Sequence, residues 1–222
     1  MDRGALESLI ESVYPALCRI AYGLSGRADV GRGIVRFVIN HSLQQLTAWR
    51  DAADARRWFY HFTILVARRG RKHEPGAQQD TLVENSGEVS AAYVAFVRGI
   101  RVLPFQQREA YLLTYGEALS PRDTATAMDC STSAVAVHLQ GAEQLLKPMA
   151  GESYEKMKDR LVRAFGNLAP SDEAVHPSVH RLINRLMWPR RIKRIITIIL
   201  AAAILAGLAL AWWKWRDKLP WH

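Results

Sequence analysis

The sequence predicts an all-α protein made of two small helical domains, the second with a helix-turn-helix, followed by one C-terminal transmembrane helix. Three observations carry this expectation. Apolar residues recur at helical spacing through most of the chain, and no useful stretch alternates with the period of a strand. The segment 195–213, IITIILAAAILAGLALAWW, holds no charged residue. The expected divisions are a first helical domain over 1–73, a polar linker over 74–88 and a helix-turn-helix domain over 89–150. An amphipathic helix and juxtamembrane linker follow over 151–189, then the membrane helix with basic flanks over 190–222.

The chain starts MDRGALESLIESVY, with Asp2, Glu7 and Glu11 and no continuous apolar run. That pattern predicts an amphipathic helix and not a signal peptide. Leu6, Leu9, Ile10, Val13, Leu17, Ile20 and Leu24 form its apolar stripe, with a break expected near Ser25-Gly26. A second stripe follows at Ile34, Val35, Val38, Ile39, Leu43 and Leu46, with a further break near Trp49 to Asp54. The next helix carries Trp58, Phe59, Tyr60 and Phe62 beside Arg56, Arg57, Arg68, Arg69, Arg71 and Lys72. Aromatics interleaved with cations can stack on unpaired bases while holding phosphates. The competing expectation is that Trp58, Phe62 and Leu65 form a buried stripe and the cations only solvate the helix. For Arg68 to Lys72, an anionic lipid surface is a second expected ligand.

Residues 74–88, EPGAQQDTLVENSGE, lack aromatics and apolar periodicity and are expected as an acidic linker. A helix from about Val89 to Val102 leads into the most informative stretch, Leu103 to Leu146. Leu103-Pro104 opens a helix, since Pro near the first helical position loses no hydrogen bond. Ser120, Pro121 and Asp123 signal another start, with Ser120 as the cap. Asp129 suits a left-handed turn. Ser131 caps a second helix, in which Val135, Leu139, Ala142 and Leu146 share one stripe. Two short helices joined by a tight turn can place the second in the DNA major groove. Its outward residues Ser131, Thr132, Ser133, Ala136, Val137, His138 and Gln140 are the candidate DNA-reading set. After Lys147-Pro148 a further amphipathic helix is expected from about Glu152 to Phe165. The linker GNLAPSDEAVHPS and a short helix from Val179 to Met187 are expected beyond it.

Leu103-Pro104, Gln107-Arg108-Glu109, Leu112-Leu113, Leu119-Ser120, Ala125, Ser131, Val135, Leu139 and Ala142 resemble the promoter-reading region 4 of bacterial RNA polymerase sigma factors of the extracytoplasmic-function type. The first third is similar to region 2 of that family, through Tyr14-Pro15-Ala16-Leu17, Ala28-Asp29-Val30 and Arg56-Arg57-Trp58-Phe59-Tyr60. The resemblance covers roughly the first two thirds of the chain. It implies a transcription initiation protein whose partners are core RNA polymerase and promoter DNA, with a regulatory protein as a further class of partner. It also implies that the third helix helps capture the melted promoter strand.

This chain departs from the family in charge. From Ser131 to Leu146 there is no Lys or Arg, and Ala136, His138, Gly141 and Glu143 stand where the family carries basic residues. Residues 99–150 have a net charge of −1, although DNA readers gain most of their affinity from cations on phosphates. In the helix after Ala28-Asp29 the family is acidic and docks on polymerase. Here Gly31, Arg32, Gly33 and Arg36 reverse that charge. Farther on, Leu65 and Arg69 replace the family's Asn and Asp. An alternative expectation is thus a non-enzymatic interaction module at the membrane that keeps the fold without binding DNA.

The overall charge of +9 is concentrated in residues 1–73 and 190–222, each +6. The apolar run rises roughly 28 Å as a helix, close to a bilayer core of about 30 Å. Arg190, Arg191, Lys193 and Arg194 precede Ile195, and Trp212, Trp213 and Trp215 close the run as an interfacial belt. The excess of cations on the N-terminal side predicts a single pass through the inner membrane, with the helical domains cytoplasmic and a short tail outside.

No catalytic residue, cofactor or metal site is expected, and the chain is not expected to be an enzyme. The glycines at 23, 26, 31 and 33 lack the strand context of a phosphate loop. His176 and His180 are separated by Pro177 and lack an acidic partner nearby. Cys18 and Cys130 have no zinc spacing, and a disulfide between them is not expected in a cytoplasmic domain.

Overall fold

The computed structural model describes residues 3–43, 49–69, 80–87 and 90–216. Among these residues the regular structure is all helical. The elements are α1 (Arg3–Ser25), α2 (Ala28–Ser42), α3 (Ala52–Arg69), α4 (Thr81–Glu84) and α5 (Ala91–Val102). Then come α6 (Phe105–Tyr111), α7 (Pro121–Met128), α8 (Thr132–Ala150), α9 (Tyr154–Gly166) and α10 (Asp172–Arg216). The chain divides into two compact units, Met1–His180 and Arg181–His222.

In the first unit, α1, α2 and α3 pack on one another through the stripes legible in the sequence. Leu6, Ile10, Val13, Leu17, Ile20 and Leu24 of α1 are buried, as are Ile34, Val35, Val38 and Ile39 of α2. In α3 the buried stripe is Ala55, Phe59, Thr63, Ile64 and Ala67. Trp58, Phe62 and Leu65 are only half-buried, so the expected stripe is rotated toward Phe59. Leu46 lies outside the described residues.

The described part of the stretch expected as a polar linker is built into the core. Asp80 caps α4 by accepting a hydrogen bond from the Leu82 N–H at 2.9 Å, and Leu82 and Val83 are buried. Asp80 also accepts two bonds from Arg101 of α5, at 2.6 and 2.9 Å. The same guanidinium donates to the Gly23 and Leu24 carbonyls at the end of α1. One cation of α5 therefore serves the last carbonyls of one helix and the capping carboxylate of another. This answers why so polar a segment can enter the core: its buried polar side chains, Asp80 and Thr81, both have hydrogen-bond partners.

A second tie comes from α9. Phe165 has no exposure and sits against two glycines. A Cβ built on Gly23 would lie 2.2 Å from its ring, and one on Gly116 would lie 2.7 Å away. Gly116 ends a π-helical turn, Leu112–Gly116, that continues α6. Any side chain at either position would expel the ring that joins α1, the end of α6 and α9.

The C-terminal expectation is overturned. Among the described residues no helix is long and apolar enough to cross a membrane. The transmembrane helix read from Arg190, Arg191, Lys193, Arg194, Ile195, Trp212, Trp213 and Trp215 therefore falls. The single-pass inner-membrane location, cytoplasmic inside and short tail outside, falls with it. The apolar run does not stand as an element of its own. It is one part of α10, which starts at Asp172 with Glu173 in its first turn and carries Pro177 and Asn184 in its helical path. The helix thus also includes most of the segment expected as a linker before Val179.

Removing Asp80 leaves the Arg101 guanidinium buried without its counter-charge. Asp80→Ala is expected to lower the unfolding free energy by about 3–5 kcal/mol, measured by urea titration. Glu173→Gln, at an exposed position of α10, is expected to change it by less than about 0.5 kcal/mol.

Candidate nucleic-acid interface

Ser120 opens α7 as its sequence pattern predicts. Its Oγ accepts from the Asp123 N–H at 3.1 Å and donates to the Asp123 carboxylate at 2.6 Å. Asp129 ends α7 in the left-handed region, at φ 57° and ψ 53°. Ser131 then caps α8, accepting from the Ala134 N–H at 3.1 Å. Val135, Ala142 and Leu146 turn inward and are buried, while Leu139 is half-buried. The turn thus sets two helices at a fixed angle, with the opposite face of α8 in solvent.

On that face Ser131, Thr132, Ser133, Ala136, Val137 and Gln140 are exposed and His138 is half-exposed. Val137 is 65% exposed, an apolar contact surface at the centre of the set. Hydroxyls, an amide and methyl groups can address base edges and the thymine methyl. They cannot neutralise phosphates. Glu143, at a position where the resemblance implies a cation, is tied into the fold. It accepts from the Tyr115 hydroxyl and pairs with Lys147 at 2.6 Å. These two partners, Lys147 first, hold its carboxyl below the ordinary glutamate range.

The structure separates the basic-aromatic patch of α3 into three surfaces. Arg56, Arg57 and Tyr60 line a cleft of about 310 Å3 whose other wall is Leu119, Asp123, Thr126 and Ala127. The cleft lies between α3 and the first helix of the helix-turn-helix. Arg57 also reaches Asp54 at 3.3 Å. Burial raises the Tyr60 phenol above its ordinary value, with Glu117 adding to the shift. Trp58 faces another way and joins an aromatic ladder with Phe62 (4.8 Å between centroids), His41 (6.1 Å) and Trp49 (5.3 Å). Arg68 turns inward, and Arg69 is exposed at the end of α3. Arg71 and Lys72 lie outside the described residues.

Arg68 is committed to the fold. Its guanidinium donates to both carboxylate oxygens of Glu109 in α6, at 2.7 and 2.8 Å, and to the Met128 carbonyl at the end of α7. Glu109 is fully buried. Two further links join the same halves. Arg19 of α1 holds Glu117 through two bonds of 2.6 Å, and His61 Nδ1–H donates to the Ala127 carbonyl at 3.1 Å. The sequence reading missed Arg19, His61 and Glu117 as contributors. The available signal was Glu109 and Glu117, acids set in the apolar pattern of residues 103–119.

Thiol chemistry is remote from this region's function. Burial pushes the Cys18 thiol up to about 12. Cys130, beside the turn, is half-buried and also raised by burial. Among the described residues no group of His, Cys, Asp and Glu could hold a metal ion.

Arg68→Ala is expected to cost about 3–5 kcal/mol of folding stability, because it strands a buried carboxylate. Arg69→Ala is expected to cost less than about 0.5 kcal/mol. Urea titration of the two variants separates the structural cation from the free one. For Glu143 the depressed carboxyl stabilises the fold above its unfolded value, and this is lost as pH falls through its folded value. Glu143→Gln is thus expected to lower stability by about 0.5–1 kcal/mol near neutrality. The gap to the parent chain should close below about pH 4 in thermal melts across pH.

Residues 93–146, from Tyr93 of α5 to Leu146 of α8, match the family described as Sigma-70, region 4. No curated protein and no solved structure matches the chain. The capped α7, the left-handed turn at Asp129 and α8 from its Ser131 cap to Leu146 lie inside the matched residues. Over residues 93–146 the chain is therefore similar to sigma-70 region 4, and the helix-turn-helix is the part of the fold that carries this similarity.

Proposed function

We propose that this chain is a sigma-like transcription initiation factor of the extracytoplasmic-function type, binding core RNA polymerase and promoter DNA. Residues 1–73 serve as its region 2 and residues 89–150 as its region 4. The observation that carries this reading is the helix-turn-helix of α7 and α8, with its left-handed turn and two serine caps, inside the family match.

In this reading α8 enters the major groove with Ser131, Thr132, Ser133, Ala136, Val137, His138 and Gln140 toward the bases. Gln140 is suited to adenine and Val137 to a thymine methyl. Arg122, exposed on α7, and Arg56 and Arg57 at the neighbouring cleft supply phosphate contacts that α8 lacks. For the melted strand the exposed candidates are Trp58 and Arg69, while Tyr60 belongs with Arg56 and Arg57 at the cleft and Arg68 is held by Glu109. One observation favours a second reading, a sigma-like interaction module without DNA binding. From Ser131 to Leu146 α8 has no Lys or Arg, and its most exposed apolar residue is Val137.

The test uses the full chain with bacterial core RNA polymerase and a pool of duplex promoters, over a salt series. Retention of polymerase and salt-dependent promoter enrichment are expected. Gln140→Ala should relax sequence preference at one position, at about 1–3 kcal/mol. Arg56→Ala should weaken all duplexes alike and reduce the salt slope by about 1. Absence of both polymerase retention and a salt-dependent DNA signal would select the second reading.

A further inference from the structure

The outward face of α2 is built for a partner. Arg32, Gly33, Arg36 and Phe37 are exposed along it, and residues four apart share a helix face. Phe37 is 49% exposed, yet it is held in place. Its ring stacks on His41 at 6.3 Å and 2°, and on Phe62 at 6.1 Å and 23°. It forms the exposed end of the ladder that runs through His41 and Phe62 to Trp58.

One turn before Phe37 lies Gly33. A mid-helix glycine weakens a helix relative to alanine, so it calls for a reason. Gly31 has one inside the chain, because a Cβ there would lie 2.3 Å from the Tyr22 ring. Gly33 has none: its Cβ position is open, with nothing within 4 Å. An open notch beside an ordered aromatic knob lets another backbone approach closely, as in helix-on-helix packing.

Charge selects the occupant. Asp29, the acid in the first turn of α2, is paired with Arg27 at 2.7 Å, leaving Arg32 and Arg36 to set the sign of the face. A second copy of α2 would bring four guanidinium groups together. A nucleic acid would use the cations but not the notch. We infer that the α2 face of Gly33 and Phe37, flanked by Arg32 and Arg36, docks an acidic amphipathic helix of a partner protein. This is the charge complement opposite to that of an acidic polymerase-docking helix. It stands apart from DNA reading by α8, and it is read from peptide binding rather than from polymerase retention, so its failure and that of the proposed function are distinguishable.

The experiment is fluorescence anisotropy on the full chain with three labelled probes. These are a short helical peptide with a Leu/Ala seam flanked by Glu, the same seam flanked by Lys, and a single-stranded oligonucleotide. The Glu peptide is expected to bind at least ~10-fold more tightly than the Lys peptide. Gly33→Leu, which fills the notch while favouring the helix, should weaken it ~10-fold with an undiminished thermal melt. Arg36→Glu should narrow or reverse the preference without touching the Arg32–Tyr22 hydrogen bond. Equal binding of both peptides, or indifference to Gly33→Leu, would overturn the inference. So would displacement of the Glu peptide by the oligonucleotide in a manner abolished by Phe37→Ala, which would assign the face to nucleic acid.

Discussion

A carboxylate with no exposure to water sits at Glu109, and its charge is tolerable there only because Arg68 reaches it with two short hydrogen bonds. Desolvating an ion costs several kcal/mol, and the cost is offset only where geometry and remaining hydrogen bonds are complete. Arg68 meets that requirement with a further bond to the Met128 carbonyl. The result is a constraint on placement. The third helix must lie where its C-terminal arginine meets α6 and the end of α7, and the first three helices come with it. Arg19 with Glu117, and His61 with Ala127, act across the same junction. Helices that the sequence divides into separate halves are thus held against each other by charge and by Phe165 on its two glycines.

That arrangement has a functional cost. Cations that could have faced phosphates are divided between structure and solvent. Arg68 is inside, Arg56 and Arg57 face a cleft against α7, and Arg69 is outside. The helix-turn-helix has the opposite economy. Its geometry is complete, with caps at both helices and a left-handed turn, but from Ser131 to Leu146 the exposed face of α8 carries no Lys or Arg. A surface of this kind can discriminate bases or a protein side-chain pattern, while affinity for a polyanion must come from elsewhere on the molecule.

Helix periodicity and end signals were legible because they are local. Ser120, Asp129 and Ser131 act within a few residues of themselves, so their roles as caps and turn follow from residue type and spacing. The stripes of α1 and α2 were readable for the same reason. The stripe of α3 was not, because Trp58, Phe59 and Phe62 are all apolar and any of them could face inward. Packing against α1, α2 and α7 chose Phe59 and left Trp58 and Phe62 at the surface with His41 and Phe37. The C-terminal run was misread because an uncharged stretch was counted alone, without the helix to which it belongs.

The sequence by itself determined the helical character of the described residues, the capped helix-turn-helix and a segment matched to sigma-70 region 4, because these rest on backbone preferences and hydrophobic spacing. Only the tertiary structure decided which charges are spent. Asp80 appeared to belong to a polar linker and is the buried partner of Arg101, and Arg68 appeared to be a phosphate ligand and is the partner of Glu109. A charge's role depends on the dielectric around it and on partners 21 and 41 residues away, and neither is written in local sequence.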